Sequence, residues 1–173
     1  MTAKGHLALA LLPALFISKA LPPQEQTIFL SSVGVGSILP DIDEPGSYIG
    51  RKLAFLSIPL KLFGIKHRTF THYLIFPLIV AIIGLFLPHP LNIAAFGLAF
   101  GILMHDVGDM LTRGGIKGFL YPCCKDKTFR LLPKNLAFYT NSITEWILIS
   151  ILYIIDLYLY VKLNLDINIE AIL

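Results

Sequence analysis

Charge is what this chain has least of. Aspartate, glutamate, lysine and arginine make up 14% of its 173 residues, against 55% hydrophobic ones, and the mean hydropathy is +0.74. A soluble globule covers its surface with about 25% charged residues, so the sequence predicts a polytopic membrane protein whose missing polar surface faces lipid. Fourteen basic and eleven acidic residues leave a net charge of only +3. The basic residues form no dense run, which argues against nucleic-acid binding. Cysteine is scarce too. Cys123 and Cys124 are sequence neighbours, which bridge only with strain and lack the paired C-x-x-C spacing of a structural zinc site. No repeat and no low-complexity stretch is present.

Long hydrophobic runs are fewer than the composition suggests. Five apolar segments stand out, at His6–Leu21, Thr27–Leu39, Tyr73–Leu87, Leu91–Gly108 and Ile143–Leu163. Only the last clearly reaches the roughly 20 residues that cross a bilayer unaided. Pro13 interrupts the first, and Gly34 and Gly36 the second. The expected fold is therefore an all-α, polytopic membrane bundle of about five helices. It forms one domain over residues 1–173, with two cytoplasmic loops, 40–72 and 109–142, carrying the polar residues. With the N-terminus inside, twelve of the fourteen basic residues fall on the cytoplasmic side and only Lys19 and Lys162 outside, as the positive-inside rule requires. The expected location is the inner membrane, multi-pass, with the lipid bilayer as partner. The first twenty residues, "MTAKGHLALALLPALFISKA", also resemble a cleavable signal peptide; cleavage would remove His6.

The titratable residues gather on that topology. His6 starts the first helix, and Asp41 and Asp43 follow the second in "ILPDIDEPGSYIGRKL". His67 and His72, in "HRTFTH", enter the third, while His105 and Asp109, in "MHDVGDMLTRGG", close the fourth. All lie at the predicted cytoplasmic face. His89, in "LPHP", lies at the other and serves as the control. His105 and Asp109 are four apart, about 40° of azimuth on a helix, so they point the same way. Asp41 and Asp43 flank one residue after a proline, so an extended or turning loop offers both. His67 and His72 are five apart, about 140° around a helix. A single helix cannot aim both inward, which predicts His67 on the loop and His72 on the first helical turn, with Thr69 or Thr71 near the cap.

Each of these has an ordinary explanation alone: a hydrogen-bonded interfacial histidine, an Asx turn, an accidental spacing. Together they predict a metal site. Imidazole and carboxylate donors without thiolate suit zinc, manganese or iron. Seven donors exceed one tetrahedral ion, so two divalent ions are expected, an arrangement that clamps both oxygens of a phosphoester displacement.

The stretches "GHLALAL", "ILPDIDEPGSYIGRKL", "HRTFTH" and "MHDVGDMLTRGGIKGFLYP", in this order over about residues 1–135, resemble the YdjM/DUF457 family. That family comprises LexA-regulated, inner-membrane-associated proteins predicted to be metal-dependent hydrolases. The resemblance implies that His6, Asp41, Asp43, His67, His72, His105 and Asp109 are the family's polar positions. It extends, as a more distant analogy, to zinc phospholipase C and P1-type nucleases. Two positions depart from the pattern: Thr69 stands where glycine usually follows "HR", and Thr112-Arg113 where Thr-Pro often follows "DML".

The expected function is a membrane-bound hydrolase at the cytoplasmic face, acting on a phosphoester and, from the depth of the site, a lipid or amphiphilic substrate. Metal would supply water activated near neutral pH. Arg68 and Arg113, each beside a candidate ligand, are the cations available to phosphate oxygens, or simply positive-inside anchors. Asp106 is an alternative partner for a liganded histidine. Asp156, in the fifth segment, would cost about 2.5–3.5 kcal/mol if lipid-exposed at mid-bilayer, so it is expected to face the bundle or an interface. The alternative is a non-catalytic membrane protein stapled by a structural metal or by hydrogen bonds among the same residues. A cation transporter fits less well, because the polar groups crowd one end rather than the midplane.

Overall fold

A computed structural model describes residues 1–65 and 67–164. Helix α1 (Ala3–Ser18) starts where the Thr2 hydroxyl accepts a bond from the Gly5 amide, a serine/threonine cap of the usual kind. It runs through Pro13 without ending. Helix α2 (Pro23–Gly36) begins on a proline, whose missing N–H is no loss in a first turn. A 3-10 turn follows (Leu39–Asp43), then two short helices, α3 (Tyr48–Lys52) and α4 (Ala54–Leu62), and a second 3-10 turn (Phe70–His72). Helices α5 (Ile75–Phe86), α6 (Leu91–Met110) and α7 (Ile143–Asn164) complete the helical part.

Two of these helices, α6 and residues Ile143–Leu163 of α7, are long and apolar enough to cross a membrane. The segment predicted at Tyr73–Leu87 is shorter in the structure: α5 has 12 residues, about 18 Å at 1.5 Å per residue, well under a hydrocarbon core of about 30 Å. Apolar side chains lie exposed along α5 (Ile79, Ile82, Phe86) and α7 (Ile147, Ile151, Ile154), the pattern of a surface not meant for water.

The two segments expected as loops carry structure of their own. Residues 40–72 hold both 3-10 turns and helices α3 and α4. Residues 109–142 hold a small antiparallel ribbon, β1 (Ile116–Lys117) against β2 (Thr128–Phe129), with Ile116 opposite Phe129. The fold is thus mostly helical rather than strictly all-α.

The core forms where α1, α2 and α6 meet, around Ala10, Ala14, Phe29 and Val33. Helices α2 and α6 approach closely because Gly97 and Gly101, four apart, face α2: a Cβ on Gly101 would lie 2.3 Å from the Val33 carbonyl oxygen. This small-xxx-small contact brings the end of α2 against the last turns of α6. α1 packs between α2, α6 and α7, so His6 is an interior residue. α7 is fastened to the start of α1 by the buried Glu145, which accepts bonds from the Thr2 amide (2.6 Å) and hydroxyl (2.9 Å).

Candidate metal centre

Four chain segments converge at one end of the bundle: α1, the first 3-10 turn, residues 67–72 that end in the second 3-10 turn, and the end of α6. They bring His6, Asp41, Asp43, His67, His72, His105 and Asp109 together. His6, His72, His105, Asp43 and Asp109 are all buried.

Hydrogen bonds fix the tautomers. His105 Nδ1 lies 2.8 Å from the Ser37 carbonyl oxygen, which can only accept, so Nδ1 carries the proton and Nε2 a lone pair. The Thr71 hydroxyl donates to Asp43 Oδ2 at 2.8 Å, so toward His72 Nδ1, 3.0 Å away, it can only accept. His72 therefore also keeps its proton on Nδ1. Burial, reinforced by the neighbouring His105, holds the His72 pKa well below the usual histidine range, so its ring is neutral near pH 7. The two Nε2 atoms nonetheless face each other at 3.2 Å. Two lone pairs at that separation repel.

Two carboxylates complete the same space. Asp41 Oδ1 lies 3.6 Å from His105 Nε2 and 3.9 Å from His72 Nε2. Asp109 Oδ2 lies 3.9 Å and 3.7 Å from the same atoms, with no hydrogen-bond donor of its own. Each of the two carboxylate oxygens thus lies within 3.9 Å of both Nε2 atoms. Nitrogen and oxygen ligands of a tetrahedral ion at about 2.0–2.2 Å stand roughly 3.3–3.6 Å apart, close to the spacings found. The residues fit a divalent cation. Burial also pushes the Asp41 carboxyl up, against the pull of His105 and with a smaller push from the neighbouring Asp109.

Asp43 does something else. Its Oδ1 meets His67 Nδ1 at 2.8 Å, and its Oδ2 accepts from the Arg68 amide as well as Thr71. It is a positioning residue rather than a donor to the central space. His67, held through Nδ1, turns Nε2 toward Asp41 Oδ1 at 4.0 Å, with a side chain 33% exposed. Burial alone would lower the His67 pKa, but the Asp43 carboxylate outweighs it and holds it above the usual range. The neighbouring pair in sequence, Asp41 and Asp43, thus serve opposite nitrogens of one imidazole. His6 lies on the far side of His105, stacked at 3.7 Å, with Nε2 3.4 Å from Asp109 Oδ1. Gly108 makes room for it: a Cβ there would come within 2.8 Å of His6 Nδ1.

Within these residues, two groups can hold a metal: Asp41 with His72 and His105, and His6 with His105 and Asp109. Both use His105, whose Nδ1 is already bonded to Ser37.

The cluster lies within a stretch matched by a known family. The family described as "YdjM inner membrane protein" matches residues 1–165. The chain belongs to that family. It is 35% identical over 136 residues to the proteins named inner membrane protein YdjM of Escherichia coli (strain K12) and Shigella flexneri, covering 71% of this chain and 66% of theirs. It is 37% identical over 142 residues to the uncharacterized protein YvsG of Bacillus subtilis (strain 168), covering 80% and 82%. The chain thus spans slightly under two thirds of the YdjM proteins it matches first. No solved structure matches it.

In this YdjM-family chain the two arginines part company. Arg68, at φ 61°, sits in the left-handed region that few side chains adopt. It reaches back into the cluster, its Nη2 2.7 Å from Asp109 Oδ1 and its Nη1 on the Gly115 carbonyl. The Met1 amino group also contacts Asp109 Oδ1. Arg113 does not join them. Its Nε donates to the Ala137 carbonyl and its Nη1 to the Tyr139 hydroxyl at 2.7 Å, and no hydrogen bond or ion pair links it to the cluster. The reason is local: Thr112 Oγ1 donates to the Asp109 carbonyl and closes the helix, turning Arg113 toward the 130s.

The prediction that His72 opens a helix also needs correction. It ends a 3-10 turn, three residues before α5 starts, and Thr71 bonds Asp43 instead of capping. Asp106 is buried, but neither of its oxygens has a hydrogen-bond partner, so it orients no histidine. Ser37 was not singled out in the sequence; as a backbone acceptor it leaves no signature there.

Proposed function

We propose that this YdjM-family protein is a multi-pass inner-membrane, metal-dependent hydrolase with its N-terminus and site at the cytoplasmic face. Asp41, His72, His105 and Asp109 would hold one divalent ion. The observation that carries this reading is the pair of unprotonated Nε2 atoms 3.2 Å apart, walled by two carboxylate oxygens. One ion is favoured over two because His105 has a single free nitrogen, and because Asp109 Oδ1 is already held by Arg68.

Bound there, a divalent ion would supply Lewis-acid polarisation of a phosphoryl oxygen and water activated near neutral pH. The chain's own residues do the rest. His67, fixed by Asp43 and partly exposed, can carry a proton on Nε2 at the open side of the cluster, where a leaving oxygen would need one. Arg68, with 21% of its side chain exposed, would be the cation that meets phosphate charge. A phosphoester with an amphiphilic body suits a site at the end of membrane helices. The inside location rests on the distribution of basic residues.

A second reading has an observation of its own. Of the cluster, only Asp41, His67 and Arg68 have more than marginal exposure, which also suits an ion that staples the turns together without turnover. Metal analysis of the purified protein, with a panel of phosphomonoester, phosphodiester and phospholipid substrates, separates the two. Stoichiometric metal with turnover that disappears in Asp41→Ala and His105→Ala supports the hydrolase. Metal without turnover supports the staple, and metal-free protein refutes both.

A further inference from the structure

The loop between the two 3-10 turns carries a surface that neither the cluster nor the bundle uses. Along α4, Phe55, Ile58 and Leu62 recur at i, i+3 and i+7 and therefore share one face. They are 71%, 50% and 81% exposed, and Phe63 just beyond is 85% exposed. The opposite side of α4 holds Ser57, fully buried, whose hydroxyl donates to the Gly50 carbonyl at 2.7 Å. So α4 has an inner face fastened to the protein and an outer face of large apolar side chains.

Nine residues span only about 14 Å, so α4 cannot place that face in lipid by crossing the bilayer. Basic residues border the stripe: Arg51 and Lys52 before it, and Lys61 within it, all exposed. Lys61 also pairs with Glu44 at 3.2 Å. An apolar face edged by basic side chains is the composition of a helix lying in the plane of a phospholipid headgroup layer. The exposed apolar faces of α5 and α7 give it a bilayer to join.

We infer that α3 and α4 lie flat in the phospholipid interface, with Phe55, Ile58 and Leu62 among the upper acyl chains and Arg51, Lys52 and Lys61 at lipid phosphates. This inference rests on the membrane reading above, and deepens it. The interfacial helix is tied directly to the candidate site. Ser57 holds Gly50 of α3, and Ser47, which caps α3 through the Gly50 amide (2.8 Å), donates to the Asp41 carbonyl at 2.7 Å. Lipid contact at Phe55 thus bears, through two serine hydroxyls, on the turn that presents Asp41. The site opens beside the headgroup layer, and its substrate class is a phosphate ester embedded in that layer.

The test uses the full chain in phosphatidylcholine–phosphatidylglycerol nanodiscs, with Cys123→Ser and Cys124→Ser and one introduced cysteine carrying an environment-sensitive fluorophore. Labels go at Phe55, Ile58 and Leu62, at Asp126 on the ribbon loop, and at Ile151 on α7. At the stripe, blue-shifted emission, quenching by shallow spin-labelled lipids and several-fold weaker iodide quenching than at 126 are expected. Iodide quenching at the stripe equal to that at 126 would overturn the inference. So would shielding from both quenchers, which would mean a protein partner or second copy. If 151 responds to lipid while the stripe responds to iodide, the interfacial helix alone fails. If 151 also responds to iodide, the membrane-spanning reading of α7 fails with it.

Discussion

The two ends of the bundle each pair a histidine with a carboxylate, and only one end is short of protons. His89 Nε2 meets Glu25 Oε1 at 2.8 Å with its side chain 62% exposed. One donor meets one acceptor at a surface open to solvent. At the other end, His72 and His105 commit their only protons to Thr71 and Ser37, then face each other and two carboxylates out of solvent. A His–carboxylate contact alone therefore says little. What distinguishes a metal centre is an excess of buried acceptors over donors, since an unpaired buried polar group is costly.

The largest expected effect breaks this contrast outright. His72→Ala should reduce bound metal, measured by elemental analysis, from stoichiometric to background. His89→Ala should leave it unchanged. Equal loss in both would show that the metal does not depend on the buried cluster. Next in size is Asp43→Asn. It keeps the volume but weakens the acceptor that fixes His67, Thr71 and the Arg68 amide. Partners of this kind typically contribute about 10–100-fold in affinity, so competition with a chelating dye should show weakening of that order. A full loss equal to His72→Ala would instead make Asp43 a ligand.

These two predictions also mark what the sequence could and could not reveal. Co-location of His6, Asp41, His67, His72, His105 and Asp109 was legible, because topology and the i, i+4 spacing follow from periodicity. The five-residue gap between His67 and His72 correctly excluded one continuous helix, and Arg68 with its positive φ is the break. The division of labour between Asp41 and Asp43 was not legible. Two residues apart on a 3-10 turn, they point to different nitrogens, and only the partners of each oxygen decide which is the positioning group. The bonding of Arg113 away from the cluster was not legible for a similar reason: lying four residues from Asp109 says nothing once a helix ends between them. Short helices α3 and α4 were hidden because five and nine residues give too little periodicity to read, and their polar anchors are single serines. The length of α5 failed at its ends, where Tyr73 and Leu87 continue the apolar run but have extended backbones.

A smaller effect concerns pH. The folded-state pKa of His67 is raised from 6.5 by Asp43, against burial. Between about 6.5 and that raised value the folded chain binds more protons at His67 than the unfolded chain does, so stability falls as pH rises. This contribution is fully present below pH 6.5 and lost above the folded value. His72, with its lowered pKa, acts oppositely, taking stability away as pH drops below 6.5. Thermal melting of chelator-treated protein in detergent, compared with His67→Gln, isolates the first term. The parent's advantage over the variant should shrink as pH climbs from 6 to 8. An advantage that grows with pH would contradict the assigned direction.

The smallest expected change separates the arginines. Arg113 bonds the Ala137 carbonyl and the Tyr139 hydroxyl and stacks 4.4 Å over the Tyr139 ring, at a surface where such contacts are worth about 0.5–1 kcal/mol. Arg113→Gln should therefore lower the melting point slightly and leave metal content and any turnover unaltered. Arg68→Gln removes the cation that shares Asp109 with the cluster. It should weaken metal retention or raise it, depending on whether Arg68 positions Asp109 Oδ2 or competes for its charge, but it should not be silent. Because both variants delete one positive charge from the same end of the bundle, a general electrostatic effect would move them together. Divergence between them is what the geometry requires, and matching behaviour would return both arginines to the role of positive-inside anchors.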